Sequence, residues 1–448
     1  MTTATASVPS SLTAIVGDSQ VVSDPRACAA AAAGGRVPQH IVEPSGSENV
    51  AAVLQFCADH DLAVIPRGSG TKLALGNPPR RYNVALSLRQ LNQVWHYEAA
   101  DLTITVGAGM KLGDLQEFLG RDGLWFPLDP SGGASATIGG ILATNASGPL
   151  RLRHGAARDM VLGMKVATTE GKLIKSGGRV VKNVAGYDLS KLLIGSYGTL
   201  GVIVEASLKL FPRPAGRATW VLEPGTFEAA RDLRRRILNS PLDPLRMVLL
   251  NRRASSRLQN AGEAEGEHSL ELWVEVGGPS PVLERCAREL VEMGRSVGVQ
   301  GHRLIEPAAE NYWRRLIDFP ALWEDFDALV LKSTLPTATC EQFLSLAQQG
   351  AERERVNLAG MVQPGVGIAH LGLWGETLAS VAERQVTDLR KAAEDLGGAL
   401  VVERYLKDFN GKWDVWGSAG DSVESMRKMK AVWDPRGILA PGRFVGGI

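Results

Sequence analysis

The chain has 448 residues, 44% of them hydrophobic and 22% charged, with a formal net charge of +1. This is globular composition with room for two or three packed domains, and it lacks the basic excess that holds nucleic acid. The four cysteines, Cys28, Cys57, Cys286 and Cys340, make no CxxC pair, so a zinc ribbon or iron–sulfur cluster has no support and a reducing compartment fits best.

The opening segment MTTATASVPSSLTAIVGDSQ carries no Lys or Arg before its short apolar piece, so a secretory signal is not expected. The alanine run Ala29–Ala33 is too short to span a bilayer, and no other stretch reaches that length. A cytoplasmic protein is expected, with membrane contact only peripheral and through a partner. Residues 1–36 read as an N-terminal arm.

Val37 to Gly70 reads as a β–α–β unit. A short strand ends at Pro44, and a helix follows with Ser47 as N-cap before Glu48. Val50, Val53, Leu54 and Cys57 share one helical face. The strand Leu62–Pro66 delivers RGSGTKLALG (67–76). A glycine-rich loop leaving a strand can aim backbone N–H groups at a phosphate, and it can equally be an ordinary turn. Strands are expected at Val84–Leu88, Trp95–Glu98 and Leu102–Val106. Gly107-Ala-Gly and the helix Asp114–Leu119 come next. The spacing there is GxGxxxG, with no acidic residue closing a second strand, so a Rossmann site and an NAD-dependent enzyme are not supported.

The stretch from Pro127 to Val204 organises the chain. Its first third, DPSGGASATIGGILATNASG (129–148), is dominated by small residues. Gly costs helix stability and fills no volume, so such a run suits close approach to something flat or phosphorylated. Residues Arg158–Ile174 read as a β-hairpin turning at Glu170-Gly171. KNVAGYDLSKLLIGSYGTLGVI (182–203) leads through a short helix to a glycine turn and a β-branched strand.

Four pieces in this order, namely RGSGTKLALG, DPSGGASATIGGILATNASG, KNVAGYDLSKLLIGSYGTLGVI and the terminal WDPRGILAPGRF (433–444), resemble the vanillyl-alcohol oxidase/PCMH-type, FAD-linked oxidase family. Within it the chain is most similar to the glycolate oxidase FAD-binding subunits and their D-2-hydroxyacid dehydrogenase relatives. The resemblance implies that Arg67, Gly68, Ser69, Gly70, Thr71 and Lys72 hold the FAD pyrophosphate. Pro127, Asp129, Thr137, Gly139, Gly140, Thr144, Asn145 and Gly148 would line the path from adenosine to flavin. Gly198, Gly201, Val202 and Ile203 would meet the flavin side, with His154 in the cofactor's surroundings. Members with covalent flavin can carry His where this chain has Thr71, so non-covalent FAD is implied.

Pro212-Arg-Pro-Ala-Gly marks a domain boundary. Two αβ halves follow, one from Met247 to Gly294 and one from Ala328 to Glu403, which suggests a ferredoxin-like cap. The domains expected are therefore 1–36 (arm), 37–214 (PCMH-type FAD-binding domain), 215–425 (cap) and 426–448 (return to the FAD domain), an α+β fold with two subdomains in the FAD part. Metal-using dehydrogenases of the family carry HxGDGNLH in the cap and later EHG. Here the matching residues read Gln363-Pro-Gly-Val-Gly-Ile-Ala-His370 and Glu403-Arg404-Tyr405. One histidine and one glutamate are too few donors for a divalent site, so no metal is expected. His370 and Arg404 are the candidate catalytic residues. Arg404 can bind a carboxylate in bidentate fashion, as could Arg314, Arg315 and Arg443.

The expected function is oxidation of a 2-hydroxy acid, glycolate or D-lactate in type, by hydride transfer to flavin N5. Electrons would pass to a partner, such as an iron–sulfur subunit, beside a metal-bearing flavoprotein paralogue. The alternative is an FAD-binding but non-catalytic relay subunit of such a complex.

Overall fold

The computed structural model describes residues 7–178, 188–259, 269–323, 327–407 and 413–448. The Asn183–Tyr187 part of the third motif lies outside the described residues.

The first sheet contains β1 (Val21–Val22), β2 (His40–Val42), β3 (Val64–Arg67) and β4 (Val84–Ser87), in the order β1-β2-β4-β3. β4 runs parallel to both β2 and β3. The crossover between β2 and β3 is the helix Ser47–Asp59, which buries Val50, Val53, Leu54 and Cys57. Gly46 is its N-cap and Ser47 its first helical residue, so Ser47 does not cap as expected.

The second sheet is antiparallel. It comprises β5 (Val94–Glu98), β6 (Thr103–Gly107), β8 (Val161–Ala167), β9 (Leu173–Gly177) and β10 (Val202–Lys209), in the order β5-β6-β10-β8-β9. A short ribbon joins β7 (Leu124–Trp125) to β11 (Phe211–Pro212). β8 and β9 form the expected hairpin, with Gly171 at φ 74° in its turn. One continuous core joins the two sheets, from Leu12 to Leu439.

The cap is an eight-stranded sheet of β12 (Arg217–Glu223), β13 (Arg246–Asn251), β14 (Leu270–Gly277), β15 (Gln300–Leu304), β16 (Leu329–Thr334), β17 (Asn357–Gln363), β18 (Ile368–Trp374) and β19 (Ala399–Arg404). The order is β15-β12-β14-β13-β17-β18-β16-β19. Each half is a βαββαβ unit with the ferredoxin-like order, and β13 meets β17 to fuse the two. The expected ferredoxin-like cap is thus a pair of such units. Strand alternation gives each face its own core: Leu329 and Leu331 pack with Phe343 and Leu344, while Val330 packs with Trp313 and Trp323. A buried Arg234–Glu341 pair, at 2.7 Å, ties the helix Phe227–Leu238 to the helix Cys340–Arg353 and so staples one half to the other.

The chain then returns through the helix Val423–Trp433. Val64 N donates to Ile438 O and Ala440 N to Val64 O, both at 2.8 Å, so the last segment adds itself to the edge of β3.

Candidate functional site

β3 runs straight into the loop Gly68–Leu73. The helix Ile138–Thr144 lies under this loop so closely that a Cβ on Gly68 would fall 1.9 Å from Thr137 Oγ1. The other side of the helix lies on the turn after β6, where a Cβ on Gly139 would stand 2.8 Å from that of Ala108. The glycines are therefore what let three backbone segments converge. Leu142 O and Ala143 O accept from Gly195 N and Tyr197 N, which hangs the glycine turn on the end of the same helix. Tyr197 takes φ 55°, and its ring packs 4.8 Å from Trp416 and 5.4 Å from Phe444.

These elements line a cleft. Arg67, Gly68, Ser69, Gly70, Thr71, Lys72, Thr137, Gly139, Gly140, Thr144, Gly198, Gly201, Val202 and Ile203 all line it. Among the described residues, the backbone N–H groups from Gly68 to Lys72 have no acceptor within the chain. Arg67 Nε and Ser69 Oγ are also buried without a partner. A run of unsatisfied donors on a glycine-rich loop fits a pyrophosphate, and the small-residue wall opposite fits a flat ring. The residues present therefore suit FAD.

Several residues expected on the cofactor path are placed elsewhere. Pro127, Asp129, Asn145, Gly148 and His154 are not among the lining residues. Asp129 accepts from Leu150 N at 3.0 Å and faces the cap, where Arg246 Nε stands 3.6 Å away and itself lies 3.0 Å from Glu275. Burial raises the Asp129 carboxyl more than Arg246 and the Leu150 N–H lower it, leaving it at about 7. Gly148 packs on Asp129, whose carbonyl oxygen would be 1.9 Å from an added Cβ. Asn145 ends the helix at φ 47°. His154 sits between Trp125 and Phe211, at ring separations of 5.5 and 5.0 Å. Burial pushes its pKa down to about 4, with the Arg153 charge adding to the effect. It is a neutral packing residue under the ribbon, because the short helix Arg151–His154 ends there rather than at the cleft.

Arg443 also lines the cleft. Its guanidinium donates to Leu73 O at 2.6 Å and to Leu75 O, so it clamps the far end of the loop. Arg314 bonds Asn311 at 2.9 Å and Arg315 bonds Arg257 O at 3.0 Å, neither against the cleft.

On the cap side, His370 of β18 is buried, with Nδ1 3.2 Å from Glu403 Oε2. Glu403 sits at a β-bulge: Val330 pairs with Arg404 and Leu331 with Val402, leaving Glu403 as the extra residue. Bulges re-aim side chains, and this one turns Glu403 towards His370 and Lys332. Burial alone would raise the Glu403 carboxyl, but His370, Lys332 and Lys72 together hold it down at about 2. Arg404 instead lines a second, more open cleft on the other flank of the loop, beside Arg67, Ser69 and Tyr405. Sequence reasoning did not single out Glu403, Lys332 or Tyr197 as site residues. Among the described residues, no three His, Cys, Asp or Glu side chains converge as metal ligands.

Fold and cleft together define a flavoprotein with a PCMH-type FAD-binding domain. Residues 38–177 match the FAD binding domain and residues 412–444 the FAD linked oxidases, C-terminal domain. It is similar to glycolate oxidase subunit GlcD of Bacillus subtilis (strain 168), 27% identical over 418 residues, covering 91% of this chain and 89% of that protein. It is similar also to a D-lactate dehydrogenase of Archaeoglobus fulgidus, 28% identical over 420 residues, covering 90% and 91%. Among solved structures, p-cresol methylhydroxylase with substrate bound matches with a TM-score of 0.76 at 16% identity, covering 96% of this chain and 95% of that one. The chain is therefore an FAD-linked oxidoreductase with FAD as its cofactor. Among the described residues, no helix is long and apolar enough to cross a membrane.

Proposed function

We propose that this flavoprotein oxidises a small 2-hydroxy acid, of the glycolate or D-lactate kind, and passes the electrons to a partner subunit. The observation that carries the reading is the His370–Glu403 pair on the cap, held at 3.2 Å and coupled electrostatically to Lys72 of the cofactor loop. Bound FAD supplies the two-electron acceptor for the hydride that leaves the substrate α-carbon. The chain's residues do the rest. Loop 67–72 would hold the pyrophosphate, and the wall from Thr137 to Thr144 would face the ring system. Glu403 fixes the imidazole through Nδ1, which leaves Nε2 to face the substrate hydroxyl proton.

Thr71, in the place where some family members carry a histidine link, supports non-covalent FAD. The relatives' names support the substrate class, and a subunit name among them supports a multi-subunit assembly. The expected partners are an iron–sulfur subunit and a metal-bearing paralogue, because the cysteines of this chain are too dispersed for a cluster.

The test is the visible spectrum of the purified chain, before and after acid precipitation, followed by anaerobic glycolate and D-lactate. Flavin colour that leaves with acid, and bleaches with one hydroxy acid, is expected. Val366 and Ile368, standing where metal-using relatives carry Asp and Asn, favour one second reading, a non-catalytic relay subunit. Bound flavin that no hydroxy acid bleaches would establish it instead.

A further inference from the structure

Tyr197 stands in the glycine turn at φ 55°, a left-handed conformation that a bulky side chain rarely adopts. Gly195 and Gly198 beside it take the same region, at 82° and 71°, without strain. Another glycine would suit this backbone better, so it is the side chain that accounts for the residue. Tyr197 N donates to Ala143 O at 2.8 Å, which fastens it to the end of the helix whose small residues wall the cleft. Tyr197 itself lines that cleft.

Its ring is held from two distant parts of the chain. Trp416 meets it edge-on at 4.8 Å and Phe444 lies at 5.4 Å, while Trp416 and Phe444 touch each other at 5.3 Å. Trp416 Nε1 donates to Arg443 O at 2.9 Å, which fixes the indole in turn. The hydroxyl is treated differently. Among the described residues it has no hydrogen-bond partner, and it is not sealed within the protein either. Burial raises the phenol pKa, with Glu403 adding to the rise and Arg443 opposing it, so the O–H keeps its proton. A fixed ring with an unpartnered donor, on a strained backbone beside a cleft, is suited to a ligand contact.

We propose that Tyr197 is a cofactor-contacting residue whose phenol O–H donates to a polar atom of the isoalloxazine, with Trp416 and Phe444 holding the ring in place. The pyrophosphate has donors of its own in the loop, Arg67 Nε and Ser69 Oγ among them. The phenol stands instead at the end of the small-residue wall, the surface that suits a flat ring. Reduction makes the acceptor atoms of that ring more basic, so the bond strengthens in the reduced state and Tyr197 raises the flavin potential. The inference rests on FAD in the cleft and not on which substrate is oxidised.

The test compares FAD-loaded wild type with Tyr197→Phe, which keeps the ring and its packing and removes only the oxygen. Anaerobic titration with dithionite beside a reference dye reads the two-electron potential of the bound flavin. Y197F is expected to shift the reduction equilibrium about three- to tenfold towards oxidised flavin, a fall of about 15–30 mV. A wild-type potential in Y197F overturns the proposal. Faster flavin loss on dilution with that potential unchanged would assign the phenol to the pyrophosphate end and overturns it equally. So would complete flavin loss from folded Y197F, since one neutral hydrogen bond does not carry a whole site. Because dithionite supplies the electrons, flavin that no hydroxy acid bleaches defeats the oxidation reading and leaves this inference intact.

Discussion

Asp129 of the FAD-binding domain and Arg246 of the cap meet across the domain boundary, guanidinium Nε to carboxylate at 3.6 Å, and both are buried. Glu275 lies 3.0 Å from the same guanidinium, and the Arg246 head packs 5.0 Å over the ring of Trp313. Two carboxylates therefore share one cation in the joint between the domains. Removing that cation leaves Asp129 with the Leu150 N–H and Glu275 with the part-exposed Arg217 at 4.0 Å, so Arg246→Met is expected to destabilise the protein by roughly 3 kcal/mol, seen as a fall in Tm with a broadened or split transition.

The same joint makes a pH prediction. The folded-state carboxyl of Asp129 titrates near 7, above its ordinary 3.8. A raised carboxyl favours the folded state while protonated, so its contribution is complete below about pH 4 and is lost as pH rises towards 7. Against Asp129→Asn, which has no such titration, the wild type should lose relative stability between pH 5 and 7 at up to about 1.4 kcal/mol per pH unit, and no more above that. Parallel denaturant melts of the two proteins across that range measure it; a difference independent of pH would refute the assignment.

Gly68 admits no side chain, since an added Cβ would press on Thr137 at 1.9 Å. Gly68→Ala should displace the loop at a cost of about 1–3 kcal/mol, weakening FAD roughly ten- to a hundredfold. The ratio of flavin to protein absorbance after gel filtration reads this directly.

His370→Asn and Glu403→Gln should each slow flavin reduction by a hydroxy acid by about 10²–10⁴-fold, while leaving FAD content unchanged, because neither lines the cofactor cleft. Anaerobic stopped-flow at 450 nm separates the two quantities. Reduction at wild-type rates in both variants would remove the pair from the chemistry.

Lys430 reaches Thr199 O, Leu439 O and the buried carboxylate of Asp434, each at 2.7 Å. It joins the C-terminal helix to the glycine turn of the cleft. Lys430→Met should cost about 3 kcal/mol, since it leaves the buried Asp434 carboxylate with only the N–H groups of Ile438 and Leu439. Faster FAD loss on dilution is expected with it, measured by the return of free-flavin fluorescence.

Much of the FAD domain was legible because its signals are local. The helix face of Val50, Val53, Leu54 and Cys57, the hairpin at Gly171 and the glycine run under the loop each follow from spacing or from absence of volume. The placement of Asp129 and His154 was not legible. Whether a residue beside a glycine run lines the cleft or faces the cap depends on what packs there from far along the chain, Arg246 in one case and Phe211 in the other. Ser47 has the right chemistry for an N-cap, yet Gly46 holds the place, one residue of phase that composition does not resolve. In the cap, ideal alternation would set Glu403 and Arg404 on opposite faces; the bulge, a property of the pairing with β16, decides that Glu403 meets His370. No short-range pattern reports a bulge in a strand whose partner lies some seventy residues earlier.

Arg443 and the carbonyl of Leu73 that it holds are 370 residues apart in the chain. On the ribosome, the glycine-rich loop emerges long before the arginine that fixes its shape, and the whole cap is synthesised in between. The cap can therefore reach its fold while the cleft is still open, and cofactor capture then becomes a closing step of maturation. A chain halted before residue 433 is expected to present a protease-resistant cap that retains no flavin; tight flavin retention by such a chain would show that the loop needs no clamp.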